Sequence, residues 1–184
     1  MGKKPKKIKK NLVIPKPKSK NQVVTPSLPS NRDFTFYSCY NWIHAVDLYK
    51  AISFTNMCKD KEQFADEIIE ILTVTIPKIY QDWEGIFNSG GVNRSFRHCH
   101  VLEGEKLDIS KSIAEEIHQT EFDPDSSWWE LGFNGGVRII GIYDPILKNF
   151  YPFFVDRYHL IYPDKNYNRN DFEKYSYNPK FKTL

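Results

Sequence analysis

The chain has 184 residues, 40% of them hydrophobic and 15% aromatic, which is enough for one domain with an apolar core. No run of 18 apolar residues occurs and no apolar stretch follows the charged N-terminus, so neither a membrane span nor a secretory signal is expected. The three cysteines lack the spacing of a zinc site and are expected to be free thiols in a reducing cytoplasm: Cys39, Cys58 and Cys99.

The net charge of +3 conceals an uneven distribution of charged residues. Nine of the 26 basic residues are lysines within residues 1–20, where no acid occurs, which leaves 17 basic and 23 acidic residues in 21–184. The body of the protein is therefore expected to be mildly acidic, which argues against a nucleic-acid binder that is basic throughout.

Residues 1–32 are predicted to form a disordered arm rich in Lys and Pro, and residues 33–184 a single domain. Five prolines exclude a continuous helix in the arm, and few of its side chains could be buried. The arm either docks on nucleic acid or an acidic partner, or serves as a solubilising tail without a partner. The lysines predicted to contact nucleic acid are Lys3, Lys4, Lys6, Lys7, Lys9 and Lys10.

The first part of the body is predicted to be mainly helical. Residues 34–42 favour an extended segment, and a short helix follows and ends near Phe54. A longer helix is expected after the N-cap Asp60, and Pro77 is expected to kink or restart it before Ile86. The apolar residues predicted to face the core recur at helical spacing: Phe64, Ile68, Ile71 and Leu72.

The second part of the body is predicted to consist mainly of strands. Side-chain alternation predicts a strand over 94–102, and a short helix over 108–118 follows it. Aromatic and β-branched runs then predict four more strands, and residues 163–184 are expected to be irregular. The fold class is therefore α+β, with N-terminal helices packed on a small twisted antiparallel sheet. The four strands are predicted at 128–132, 137–143, 150–155 and 157–162.

A candidate catalytic site lies on this sheet. An arginine can stabilise charge on phosphoryl oxygens, and a histidine can move protons near neutral pH. If residues 157–162 form a strand, Arg157 and His159 share one face and Tyr158 lies on the other. The alternative is structural, with the arginines and the histidine paired to acids on a polar sheet face. The predicted catalytic residues are Arg138, Arg157, His159 and Tyr158.

Two other motifs have simpler structural interpretations. His98 and His100 share a strand face, but a metal site needs at least a third ligand, so a partly buried pair of histidines is favoured. Of Trp128 and Trp129, one is expected in the core and one at an interface or lid. No G-x-S-x-G or phosphate-loop motif occurs, and neither a metal nor a cofactor is predicted.

The element order and four short segments resemble the RelE/ParE-type toxin superfamily over roughly residues 60–160. The segments are His100–Gly104, Trp129–Leu131, Val137–Ile140 and Phe150–Val155. The resemblance implies two N-terminal helices against a twisted antiparallel sheet, ribosome-dependent mRNA cleavage or gyrase poisoning, and an antitoxin partner. Arg138 matches the position of the family's sheet arginine. That family ends in a basic segment, whereas this chain continues from Asp156 to Asp164 with acids at both ends.

Two functions are therefore expected as alternatives. The first is a RelE-like toxin that acts as an endoribonuclease, by acid–base chemistry on a ribose 2′-hydroxyl of RNA or ribosome-bound mRNA. The second is a non-enzymatic accessory protein of a phage or mobile element, whose basic arm docks on nucleic acid or an acidic partner. A positive cleft around Arg138, Arg157 and His159 favours the first function, and a neutral or acidic sheet face favours the second.

Overall fold

The structure, a computed structural model, describes residues 34–88, 96–133, 136–163 and 170–179. The chain divides into two units, Met1–Asn31 and Arg32–Leu184, and every described residue belongs to the second. The predicted arm and its lysines therefore lie outside the described residues. In chain order the elements are β1 Thr35–Phe36, α1 Tyr49–Ile52, α2 Lys61–Glu70, a π-helical segment Ile71–Thr75, α3 Ile76–Asn88, β2 Cys99–Val101, α4 Gly104–His118, β3 Trp128–Leu131, β4 Arg138–Asp144, β5 Asn149–Asp156 and a 3-10 helix Asn170–Lys174.

The five strands form one sheet in the order β1-β5-β4-β3-β2. Strands β2 to β5 are an antiparallel meander, and β1 pairs in parallel with the start of β5. The register between β4 and β5 shifts at Ile140 and Gly141, where a β-bulge interrupts the ladder. The predicted α+β class is confirmed, and β1 makes the sheet mixed rather than purely antiparallel.

Helices cover both faces of the sheet. On one face, the segment from α2 to α3 packs Ile71 and Ile79 against Ile139 of β4. On the other face, α4 packs Ile113 against Ile140, the next residue of β4. Because β3 is an inner strand with both faces covered, Trp128 and Trp129 are both buried. The expectation that one Trp lies at an interface or lid is wrong.

The long helical segment begins as predicted and then departs from regular α-helix. The Asp60 carboxylate accepts a hydrogen bond from the Gln63 amide at 2.9 Å and caps α2. Near Pro77, which has no amide hydrogen, the backbone widens into the π-helical segment, and the Ile76 amide donates to the Ile71 carbonyl. Leu72 is 58% exposed and lies beside the equally exposed Ile69, so its predicted place on the buried stripe is wrong.

Two strand predictions differ from the structure. Of the predicted strand over 94–102, residues 94–95 lie outside the described residues and the rest is reduced to β2, Cys99–Val101; α4 begins at Gly104, earlier than predicted. Residues 157–162 do not form a strand, because the Asp156 carboxylate accepts hydrogen bonds from three amides that follow it and curls the chain around itself. In the described part of the chain, no helix combines the length and apolarity needed to cross a membrane.

Candidate functional site

Arg138 lies at the first position of β4, buried beside Glu130 on the α4 side of the sheet. Its Nε is 3.4 Å from Oε1 of Glu130 on β3, and the two side chains are only 3% and 4% exposed. Asp156 stands directly across from Arg138 on β5. One guanidinium and two carboxyl groups therefore share a space from which water is excluded, and burial makes every unbalanced charge costly there.

The two carboxyl groups of this cluster have different environments. Asp156 accepts hydrogen bonds from the amides of Tyr158, Leu160 and Ile161 at 2.9–3.1 Å. Burial, together with the negative charge of Asp156 and against the opposing effect of Arg138, raises the pKa of Glu130 to about 8. Glu130 therefore holds a proton at neutral pH, and Arg138 is balanced by the Asp156 carboxylate.

His98 and His100 lie beside Arg138, and His159 lies close enough to His98 for their charges to interact; we call His98, His100 and His159 the imidazole cluster. His100 lies across from Glu130 in the β2–β3 pair, and His98 precedes it by one strand repeat. Burial, together with the nearby charges of Arg138, Arg97 and His159, lowers the pKa of His98 to about 4. Burial and Arg138 also lower the pKa of His100. His98 and His100 are therefore neutral at physiological pH.

Polar groups surround the cluster toward solvent. Arg97 donates from Nε to Nε2 of His98 at 3.0 Å, which requires an unprotonated nitrogen there. The His100 ring contacts the ring of Tyr162, with centroids 5.1 Å apart, and the Lys106 ammonium lies 5.7 Å from the same tyrosine ring. All three histidines are partly exposed, so a ligand from solvent can reach imidazoles that stand above a buried ion pair.

Arg157 and Tyr158 belong to a different cluster, so the four predicted catalytic residues do not form one site. The Arg157 Nε contacts Oε2 of Glu67 on α2 at 2.6 Å, and its side chain is buried. The Tyr158 hydroxyl donates to the Met57 carbonyl at 2.6 Å, and burial raises its pKa well above the ordinary value of 10.0. Both residues tie the end of β5 to α2. Arg138 and His159 lie outside that cluster, Arg138 beside Glu130 and His159 near Gly136 and His98.

The conformation of His159 explains why strand alternation misplaced it. Its φ of 55° lies in the left-handed region, so it does not alternate with Arg157 as strand residues would. The region around Asp156 turns it toward Gly136 and His98 instead. Among the described residues, no group of three His, Cys, Asp or Glu side chains is arranged to hold a metal ion. His118, which would be one source of a third metal ligand beside His98 and His100, instead bonds the Phe153 carbonyl at 2.7 Å.

Two residues of the site were missed as functional candidates. Glu130 was not predicted to have a functional role, although it is the single charged residue of β3 and faces the same side of the sheet as His100. That isolated acid in an apolar strand was the available signal. Arg97, which bonds His98, is an exposed residue of ordinary type and gave no such signal.

Comparison with known proteins places the chain in a family. The family described as "Uncharacterised protein UU032" matches residues 38–183. The chain belongs to the UU032 family. The uncharacterized protein UU032 of Ureaplasma parvum serovar 3 is 32% identical over 176 residues, which are 92% of this chain and 91% of that protein. No solved structure matches the chain. The UU032 match includes the whole imidazole cluster, whereas the lysines of residues 1–20 precede it.

Proposed function

We propose that the protein is a cytoplasmic RNA-cleaving enzyme related to RelE-type toxins, with its active site at the imidazole cluster. The observation that carries the proposal is the position of His98 and His100 beside the buried Arg138, with His159 near His98. His100 is partly exposed and neutral at physiological pH, so it can accept a proton from a substrate hydroxyl. The ribosome and an antitoxin are the partners that the RelE resemblance suggests.

The proposed reaction is an internal transesterification of RNA. The neutral imidazole of His100 removes the proton of a ribose 2′-hydroxyl, and O2′ attacks the adjacent phosphorus. The P–O5′ bond breaks, a 2′,3′-cyclic phosphate forms, and the departing O5′ takes a proton from His159 or Tyr162. General acid–base catalysis of this kind contributes about 10²- to 10⁴-fold to a rate.

The basic groups near the cluster have separate roles in this proposal. Arg97 and Lys106 lie at the solvent side and bind phosphate oxygens. Arg138 is a positioning residue, because it is buried and acts through the charge that it places under the imidazoles. Arg157 has no part in the reaction, since Glu67 and the body of the domain enclose it.

The test is RNA cleavage by the purified chain in the presence of EDTA, alone and with ribosomes programmed with mRNA. His100→Ala and His159→Ala should each reduce cleavage by at least tenfold. His44→Ala is the matched control, because the histidine that His44 influences is His118 rather than a member of the cluster. Equal cleavage by all four proteins would sink the assignment.

A second function, the non-enzymatic accessory protein of a phage or mobile element, is favoured by the distribution of charge. The described residues contain 21 acids and 11 bases, and two of those bases are the buried arginines. The body therefore supplies little of the positive surface that binds phosphates, and the lysines of residues 1–20 would dock on nucleic acid or an acidic partner. In that case deletion of residues 1–30 abolishes salt-sensitive binding, while substitutions in the imidazole cluster change nothing.

A further inference from the structure

An apolar stripe runs along the outer side of the segment from α2 to α3. Ile69 and Leu72 are each 58% exposed, and Tyr80 is 46% exposed, although residues of these types are usually buried. Ala65 and Pro77 are also exposed and complete the series. We call these five residues the outer stripe. The opposite side of the same segment packs on the sheet through Ile71, Ile79 and Ile86.

The π-helical segment keeps both sides of this long helix in alignment. Its wider turn allows Ile71, Thr75 and Ile79, spaced four residues apart, to remain buried in succession. On the outside, Leu72 follows Ile69 by three residues and is its ordinary helical neighbour, and the wider turn brings Pro77, five residues after Leu72, back into the same row. The Thr73 hydroxyl donates to the Ile69 carbonyl at 2.6 Å, so its polar atom is already used by the backbone. The outer surface at the π-helical segment is therefore mainly apolar.

The dimensions of the outer stripe fit a helix as the occupant. From Ala65 to Tyr80 it covers about four turns, or roughly 22 Å at about 1.5 Å per residue. Its members are spaced by four, three, five and three residues, and the five-residue step from Leu72 to Pro77 spans the wider π-helical turn, which keeps them in one row for helix packing. An amphipathic helix of similar length can place its own apolar row along such a surface.

The charges beside the outer stripe specify the partner. The α2 helix carries four acids and one lysine, and α3 carries two acids and one lysine. Glu62, Asp66 and Glu84 are exposed among these acids. A second copy packed antiparallel would bring acids against acids, and a nucleic acid or an anionic membrane would meet the same repulsion. A basic partner would instead gain favourable contacts on both sides of its apolar row.

We infer that the outer stripe is a docking surface for another protein, which contributes an amphipathic helix with Lys or Arg beside its apolar row. This inference goes beyond the proposed catalytic activity and does not depend on it. The probe is an 18-residue peptide helix of Leu, Ala and Lys with one apolar row, labelled for fluorescence anisotropy against the full-length chain. The comparison peptide has Glu in place of every Lys.

The expected result combines a substitution effect with a charge effect. The double variant Ile69→Gln, Leu72→Gln should bind the Lys peptide at least tenfold more weakly than the wild-type chain. The matched control is Ile146→Gln, Leu147→Gln, which alters two residues that are also highly exposed, in the β4–β5 turn, and should bind as the wild type does. The Glu peptide should bind at least tenfold more weakly than the Lys peptide.

Three results would overturn the inference. The first is equal binding, or no binding, of the Lys peptide by the wild-type chain and both double variants. The second is a dimer of the wild-type chain in sedimentation velocity that is absent in the Ile69→Gln, Leu72→Gln variant. In that case a second copy of the chain, and not another protein, binds the outer stripe. The third is wild-type binding to vesicles of anionic lipid or to RNA that the same variant loses. RNA cleavage by the Ile69→Gln, Leu72→Gln variant should be unchanged, which separates the test of the docking surface from the test of the imidazole cluster.

Discussion

Replacing Glu130 by Gln should make the protein more stable at high pH while leaving it nearly unchanged at low pH. Glutamine has almost the same shape as glutamate and cannot ionise. In the folded chain the Glu130 carboxyl retains its proton until about pH 8, because it is buried and close to the Asp156 carboxylate. In the unfolded chain it would lose that proton near its ordinary pKa of 4.5.

The direction of the stability difference follows from the proton on Glu130, which the folded state retains and the unfolded state loses between pH 4.5 and about 8. A pKa raised by folding contributes stability below pH 4.5, and this contribution is lost as the pH rises from 4.5 to about 8. Each unit of pKa corresponds to roughly 1.4 kcal/mol, so the loss reaches about 3–5 kcal/mol above pH 8. The Gln variant does not suffer this loss. Its free energy of unfolding should therefore exceed that of the wild type by about this amount at pH 9.

The assay is urea unfolding at pH 5, 7 and 9, followed by tryptophan fluorescence. Glu116→Gln is the control, because Glu116 is exposed on α4 and should give a small difference that hardly changes with pH. The difference between the Glu130→Gln variant and the wild type should grow steadily from pH 5 to pH 9. If it is the same at all three values, Glu130 is already ionised in the folded protein and the reasoning fails.

Three further predictions concern packing, the second ion pair and the thiols. Gly141→Ala should lower the free energy of unfolding by about 3 kcal/mol or more, measured by urea unfolding, since its new methyl group would meet the backbone of β5 at the bulge. Arg157→Ala should cost about 3–5 kcal/mol by leaving Glu67 buried without its cation, and the double variant Arg157→Met, Glu67→Met should cost clearly less. In the folded chain Cys39 should react rapidly with Ellman's reagent, whereas the two buried cysteines, whose pKa values burial raises, should react only after unfolding.

Local patterns predicted much of the fold because the physics that forms those elements is itself local. The Asp60 cap, the helical stripe that follows it and the isoleucine row of α4 depend on neighbours within one or two turns. Strands β3, β4 and β5 were predicted close to their observed bounds because aromatic and β-branched runs stand between turn residues. These predicted elements are enough to assign the α+β class, but they do not show which side chains contact one another.

The candidate site depended on contacts that a linear pattern does not contain. Residues after Asp156 were predicted as a strand because Tyr158, Leu160 and Tyr162 alternate with Arg157, His159 and Ile161, yet one buried carboxylate bonds three of their amides and curls the chain. As a result Arg157 turns to Glu67, and His159 turns toward His98. Leu72 was predicted on the buried stripe from its spacing to Ile68, but it lies beside the exposed Ile69, and spacing alone does not state which side of the helix is packed.

The parallel pairing of β1 with β5 has a consequence for the order in which the domain opens. Strands β4 and β5 are joined by a short turn, whereas Thr35 pairs with Asn149 across more than a hundred intervening residues. Closing so long a loop is entropically costly, and a two-residue strand forms only a few hydrogen bonds that offset this cost. We therefore expect β1 to detach first, so that the amide hydrogens of Thr35 and Tyr37, which bond β5 and its turn, exchange with solvent well before those in the middle of β4.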